Sequence, residues 1–221
     1  MALTTYGDLK TSIADWAWGE VTAAQVESDF FPRMQSKLYY GDGNGRDGLT
    51  QIKPLRIRQM VDSATLTPSA SGQVTISSAC GSGWLEFIEI TPTTVGEKSL
   101  DYLDPFEFQK RPDLDYAGPA KFYTVEGDTL YTGPYSSSTL AAKWYEKFTA
   151  LSGSSDVDWV LTNAPHVYMD GCLMEICLYL QDERYAQFRS AFAAGINALN
   201  MNNTAATKSG SVLRAIPRNV A

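Results

Sequence analysis

The segment Cys80-Gly81-Ser82-Gly83-Trp84 carries the residue types of a thiol nucleophile. It partly matches the papain-type surround, in which a thiolate attacks a carbonyl while a nearby imidazole holds the proton. The chain has one histidine, His166, so any such imidazole is fixed in advance. The second cysteine of the pattern is missing, and a Ser/Gly turn feeding a strand accounts for the segment more simply. Every Ser-His-Asp arrangement and every His-based metal site would compete for the same residue. That scarcity lowers the expectation of an enzyme before any fold is considered. His166 itself reads as a surface or packing residue in the first turn of a helix.

Metal chemistry fares no better. Gly41-Asp42-Gly43-Asn44-Gly45-Arg46-Asp47-Gly48 invites a calcium loop. An EF-hand starting at Asp42 needs an oxygen ligand at its fifth position, Gly at its sixth and Glu at its twelfth. Arg46, Asp47 and Lys53 stand there instead. No Gly-Lys-Ser/Thr follows, so the segment is not a phosphate loop either, and a surface turn is the expectation. Asp113 with Asp115, and Asp156 with Asp158, are alternating acids in predicted loops. Two-metal chemistry would need several such groups to converge. Cys172 and Cys177 do not share a face of the helix predicted for them and read as small core residues.

Lys53, Arg56 and Arg58 alternate with Pro54, Leu55 and Ile57. The pattern would suit a strand with a basic edge toward nucleic acid, but the overall charge favours a solvated face. Eighteen Lys and Arg stand against 25 Asp and Glu, a net charge of −7, and the pI is near 4.7. Neutralising phosphates needs the opposite surplus. The five Trp and twelve Tyr are scattered along the chain and read as core, not as a stacking platform. Three cysteines are too few and too odd for a disulfide scaffold, so reduced thiols from a cytosolic folding environment are expected. The opening residues lack the charged and apolar regions of a signal peptide. No run approaches the roughly 18 apolar residues that span a membrane.

The elements that must position these residues fall into three stretches. Near the start, Leu9, Ile13 and Trp16 form one stripe of a short helix. Thr22-Ala23-Ala24-Gln25 is a capping box. Val26, Phe30, Met34 and Leu38 then recur every four residues. Pro32 interrupts that stripe and must either kink the helix or start a new one. Residues 61–150 change character. Val74-Thr75-Ile76, Phe87–Ile90, Lys121–Val125 and Leu140–Tyr145 read as strands. Glu126–Tyr131 reads as a turn into a further strand, and Asp104–Phe108 as one capped helical turn. Toward the end, Asn163 is placed to cap a helix with Pro165 in its first turn, carrying Met169, Leu173, Ile176 and Leu180. After Gln181-Asp182, Tyr185, Phe188, Phe192, Ile196 and Leu199 mark a second helix, its antiparallel neighbour. Periodicity fades from Asn202 onward.

The expected fold is α+β: an antiparallel bundle of N- and C-terminal helices interrupted by a β-rich insertion, with an extended C-terminal tail. The expected divisions are 1–60 and 151–203 for the bundle helices, 61–150 for the insertion and 204–221 for the tail. In that tail Val212, Leu213 and Ile216 have nothing local to bury them, and Lys208, Arg214 and Arg218 flank them. These six residues are the candidate partner-docking set, ordering on a partner.

Asp158-Trp159-Val160-Leu161-Thr162-Asn163-Ala164-Pro165-His166-Val167-Tyr168-Met169-Asp170-Gly171-Cys172-Leu173-Met174-Glu175 resembles the pattern of tailed-bacteriophage head-to-tail adaptor, or connector, proteins. In that pattern a Trp-Leu turn precedes a Pro-started helix. The break at Gln181–Arg184, the opening Leu3–Leu9 with Asp15-Trp16, and the segments Phe30–Leu38 and Leu55–Met60 are similar as well. Gly118–Tyr123 and Leu130–Pro134 resemble the hairpin of that family's insertion. Order and spacing over residues 3–200 carry the likeness; Pro32, the 41–48 loop and residues 61–80 depart from it.

The resemblance implies a ring-forming virion protein, commonly a dodecamer, docked under the portal protein and assembled in the host cytoplasm. It would extend the DNA channel, pass DNA without sequence-specific binding and offer a platform to tail or neck proteins. No catalytic residue, cofactor, metal or membrane is implied. The alternatives are a head-completion or tail-terminator ring at another neck position, and a small thiol hydrolase built on Cys80 and His166.

Overall fold

The Thr5 hydroxyl accepts the Asp8 N–H at 3.2 Å while the Asp8 carboxylate accepts the Thr5 N–H at 3.1 Å. This reciprocal cap starts the first helix of the computed structural model, which describes residues 3–43, 50–94, 96, 98–111, 114 and 116–209, with side chains as far as 203. In chain order the first elements are α1 (Tyr6–Trp16), α2 (Ala23–Gln25), a π-helical turn (Val26–Phe30) and α3 (Phe31–Tyr40). There follow β1 (Val61–Leu66), β2 (Gln73–Thr75), α4 (Ile76–Cys80), β3 (Trp84–Pro92), β4 (Asp101–Tyr102) and α5 (Pro105–Gln109). The remainder is β5 (Phe122–Glu126), β6 (Thr129–Gly133), β7 (Leu140–Glu146), α6 (Trp159–Asn163), α7 (Pro165–Leu180) and α8 (Tyr185–Ser209). The N- and C-terminal helices flank a central β-rich region, an α+β fold. The chain divides into a helical unit, 1–59 with 149–221, and a β-rich unit, Met60–Phe148.

In the helical unit the Thr22–Gln25 capping box is present. Val26, Phe30, Met34 and Leu38 are all buried, so the four-residue stripe runs through Pro32. The wide turn explains how. Pro32 has no N–H for a regular helical bond, and the Phe31 N–H reaches back to the Val26 carbonyl across the π turn just before it. Pro32 then sits in the first turn of α3. Leu9 and Ile13 are buried, but Trp16 is 58% exposed and leaves the predicted stripe.

Helix α7 is the centre of this unit. From Gly171 to Cys177 every residue is buried, so it is not the one-faced helix its periodicity predicts. Leu180 lies outside that stretch and is exposed. Neighbours approach on several sides: an added Cβ at Gly171 would meet Met34 and Phe192. Phe31 stacks edge-on to Tyr168. Gly171 against Phe192 and Gly195 against Val167 place α7 and α8 antiparallel. Each fully buried aliphatic or aromatic side chain here contributes roughly 1.5–3 kcal/mol. Asn163 does not cap α7; it is the last residue of α6, and its amide donates to the Trp159 carbonyl at 2.8 Å. Asp158 is the cap the sequence reading missed, accepting the Leu161 N–H of α6 at 2.7 Å.

Among the described residues the β-rich unit holds two sheets, one in the order β1-β7-β3 and the other β2-β6-β5-β4. β7 is central to the first, with Ala142 opposite Ala64 on one side and Ile90 on the other. Leu66, Ile90, Leu140, Ala142 and Trp144 from this sheet share one core with Val74 and Leu130 from the second. Ile76, expected in a strand, begins α4 and is buried in the same core. The β5–β6 turn at Gly127 has φ +59°, which glycine adopts without strain. Asp104 caps α5 as expected, accepting the Phe106 N–H at 2.9 Å.

Candidate functional site

The thiols are placed for packing. Cys80 ends α4 and is buried. Burial, and then the charges of Glu146 and Asp62, push its thiol up to about 11. A nucleophilic cysteine needs the opposite shift. Its only possible imidazole, His166, is exposed on the first turn of α7 and belongs to the helical unit. Cys172 and Cys177 are also free and buried, and burial raises both thiols.

The acids of the predicted loops are used as caps. Asp156 accepts the Ser152 and Gly153 N–H groups at 2.8 and 2.7 Å, and these bonds lower its carboxyl. Asp158 also accepts the Tyr168 hydroxyl, and burial raises its carboxyl. Asp42 accepts the Ile52 N–H at 3.0 Å and pairs with the buried Arg189 guanidinium. Asp113, Asp115 and the 44–48 part of the glycine-rich loop lie outside the described residues. Among the described residues no cluster of three or more His, Cys, Asp or Glu could hold a metal ion.

Lys53–Arg58 is not a strand of any sheet. Leu55 and Ile57 are buried, Arg58 opens a 3-10 turn (Arg58–Met60), and the segment's partner is a helix. Asn200 of α8 accepts the Arg56 N–H at 2.8 Å and donates to the Pro54 carbonyl at 3.1 Å. Asn203, one turn on, repeats the pattern with the Arg58 N–H at 3.0 Å and the Arg56 carbonyl at 3.5 Å. Two asparagine side chains thus imitate a neighbouring strand. Arg56 turns inward, its guanidinium donating to the Tyr39 and Leu55 carbonyls at 2.9 and 2.7 Å. Lys53 and Arg58 stay exposed.

The surface that stands out was not identified from sequence. Trp16 ends α1 and Trp18 follows it, each 58% exposed. Trp18 has φ +55°, a left-handed conformation that costs an ordinary residue on the order of 1–2 kcal/mol. The other described non-glycine residue with positive φ, Gln181, ends α7 at φ +57°. Arg184 joins the two turns: its guanidinium lies 3.6 Å from the Trp18 ring centre. Asp182 holds Arg184 through Nε and Nη2, and these bonds lower the Asp182 carboxyl to about 2. Just before, Leu178, Tyr179 and Leu180 are exposed, with Tyr179 at 64%. Asp15, Glu20 and Glu183 are exposed beside them. The readable signal was Leu178-Tyr179-Leu180 itself, since three successive helical residues cannot share one face.

A groove of about 480 Å³ in the β-rich unit is lined in part by Phe108, Gln109, Arg111, Glu126 and Tyr131. Gln109 donates to Glu126 at 2.9 Å, and the described lining residues include no Ser, Cys or His. Of the predicted docking set, Lys208 lies in the last turn of α8. Val212, Leu213, Arg214, Ile216 and Arg218 lie outside the described residues. The helix continues to Ser209, past the point where linker composition predicted its end. Among the described residues no helix is long and apolar enough to cross a membrane.

Both left-handed turns are helix C-caps, the Gly19 N–H reaching the Ala14 carbonyl at 3.3 Å and the Asp182 N–H the Cys177 carbonyl at 2.8 Å, and exposed aromatics gather around them. A family model of the SU10 adaptor proteins matches residues 4–215, and the chain belongs to that family of phage adaptors. A comparison with curated proteins found no match.

Proposed function

We propose that the chain is the repeating subunit of a neck ring that docks under the portal, extends the DNA channel and offers a platform to tail proteins. The observation that carries this reading is the family match over residues 4–215, which takes in both units. Function is then assembly, with no bond-making step. The packing around α7 supports the role of the helical unit as a rigid wedge. A head-to-tail contact repeated at a fixed rotation closes a ring, and we take that ring to be a dodecamer. The β-rich unit carries 12 acidic and 6 basic residues. Repeated around a channel, that charge would repel phosphate and let DNA slide instead of sticking.

Lys208, Val212, Leu213, Arg214, Ile216 and Arg218 are assigned to portal docking, their apolar side chains supplying buried area and their charges complementarity. The test is mass measurement of the purified protein, alone and with portal. Deleting 210–221 leaves α8 complete to Ser209. The expected result is a folded subunit that no longer binds portal. Undiminished binding overturns the docking role, and a subunit that stays solitary alone and on the portal overturns the ring. Binding to a completed neck but not to free portal would favour a head-completion or tail-terminator position.

A further inference from the structure

The two ends of the helical unit are chemically complementary. At one end Trp16, Trp18, Tyr179 and the exposed acids Asp15, Glu20 and Glu183 surround the turns that follow α1 and α7. None of those three acids has an ion-pair partner among the described residues. At the other end Lys53 and Arg58 are exposed on the segment clasped by Asn200 and Asn203. They too have no ion-pair partner among the described residues. Met201, on the same turn of α8, is 72% exposed, and Tyr40 ends α3 beside this segment at 60%. Tyr185 to Asn203 spans about 27 Å at a rise of about 1.5 Å per residue, so the two surfaces lie at opposite ends of α8.

We propose that the acidic aromatic end of one copy receives the basic end of the next, Lys53 and Arg58 facing Asp15, Glu20 and Glu183. Met201 and Tyr40 then cover the Trp16–Trp18 and Tyr179 platform. The inference rests on the ring reading above and names its interface. Charge complementarity selects a second copy as the occupant, because the matching basic and apolar residues are present on the same unit. A contact that joins opposite ends is heterologous and repeats, as a ring requires. Opposite charges fix the register and speed encounter, while the aromatic platform supplies buried area and favourable positions for cations. The left-handed Trp18 closes α1, with the Gly19 N–H on the Ala14 carbonyl at 3.3 Å, and that cap leaves the indole exposed.

The experiment uses two full-length variants and native mass spectrometry over a concentration series. One variant is Glu20→Lys with Glu183→Lys, which makes both ends basic. The other is Lys53→Glu with Arg58→Glu, which makes both ends acidic. All four sites are exposed, so circular dichroism should match the wild type. Each variant alone should need a concentration higher by about tenfold or more to assemble. An equimolar mixture should restore rings, with the two variants alternating. Either variant assembling as readily as wild type overturns the interface while leaving the ring. Failure of the mixture to recover overturns it as well. Wild type remaining monomeric throughout overturns the ring reading itself and the interface with it.

Discussion

The Arg184 guanidinium lies 3.6 Å from the centre of the Trp18 ring and is held there by the Asp182 carboxylate. The turn after α1 and the turn after α7 are thereby tied into one surface. Asp182 is depressed to about 2 by its bonds to Arg184. A carboxyl depressed on folding supports the fold above its ordinary range, and that support is lost as pH falls through about 2. The indole N–H resonance of Trp18 should therefore move with a midpoint near 2 in an acid titration. Asp182→Asn should show the acid-like position already at neutral pH. A Trp18 signal that is flat over this range, or that ignores Asp182→Asn, contradicts the linkage.

Gly171 is the most tightly enclosed of the described glycines in the helical core. A Cβ there would lie 2.4 Å from the Met34 Cγ and 2.8 Å from the Phe192 Cε2. Gly171→Ala should cost about 1–3 kcal/mol in urea unfolding, because overpacking outweighs the better helix propensity of alanine. A stabilised variant would show that α3 and α8 yield easily.

Arg189 is buried against Asp42, the Thr50 carbonyl and the Tyr185 hydroxyl. Replacing it with Met leaves the Asp42 carboxylate, 12% exposed, with the Ile52 N–H but without its cation. Breaking a buried pair in this way costs about 3–5 kcal/mol. Arg189→Met with Asp42→Asn should recover part of that loss, and a double variant no better than the single one would place the penalty elsewhere.

Asn200→Ala removes both bonds to the 54–56 backbone. The cost should be about 1–3 kcal/mol, the penalty for an unmet buried bond. Hydrogen exchange offers a local readout. The Arg56 N–H should exchange much faster in Asn200→Ala and the Arg58 N–H much faster in Asn203→Ala, with the β-rich unit unchanged. Uniform acceleration would point to global unfolding instead.

Iodoacetamide at neutral pH should leave all three thiols unmodified in the native protein and label them fully in denaturant. Burial raises each thiol, Cys80 to about 11. Rapid labelling of native Cys80 would restore the case for a nucleophile.

Local rules read directly from the chain determined much of the architecture. The Thr22–Gln25 box, the Asp104 cap, the β5–β6 hairpin and the stripe through Val26, Phe30, Met34 and Leu38 each depend on neighbours within a turn or two, so type and spacing suffice. The family likeness was legible for a related reason, since order and spacing of such local signals survive where no single motif is diagnostic. Tertiary structure alone decided the rest. Whether Trp16 faces in or out depends on where α1 stops packing against its neighbours. Whether Lys53–Arg58 becomes a strand depends on Asn200 and Asn203, which lie far along the chain. The platform at Trp18 and Arg184 exists because two distant turns meet, and no periodicity in either segment encodes that meeting.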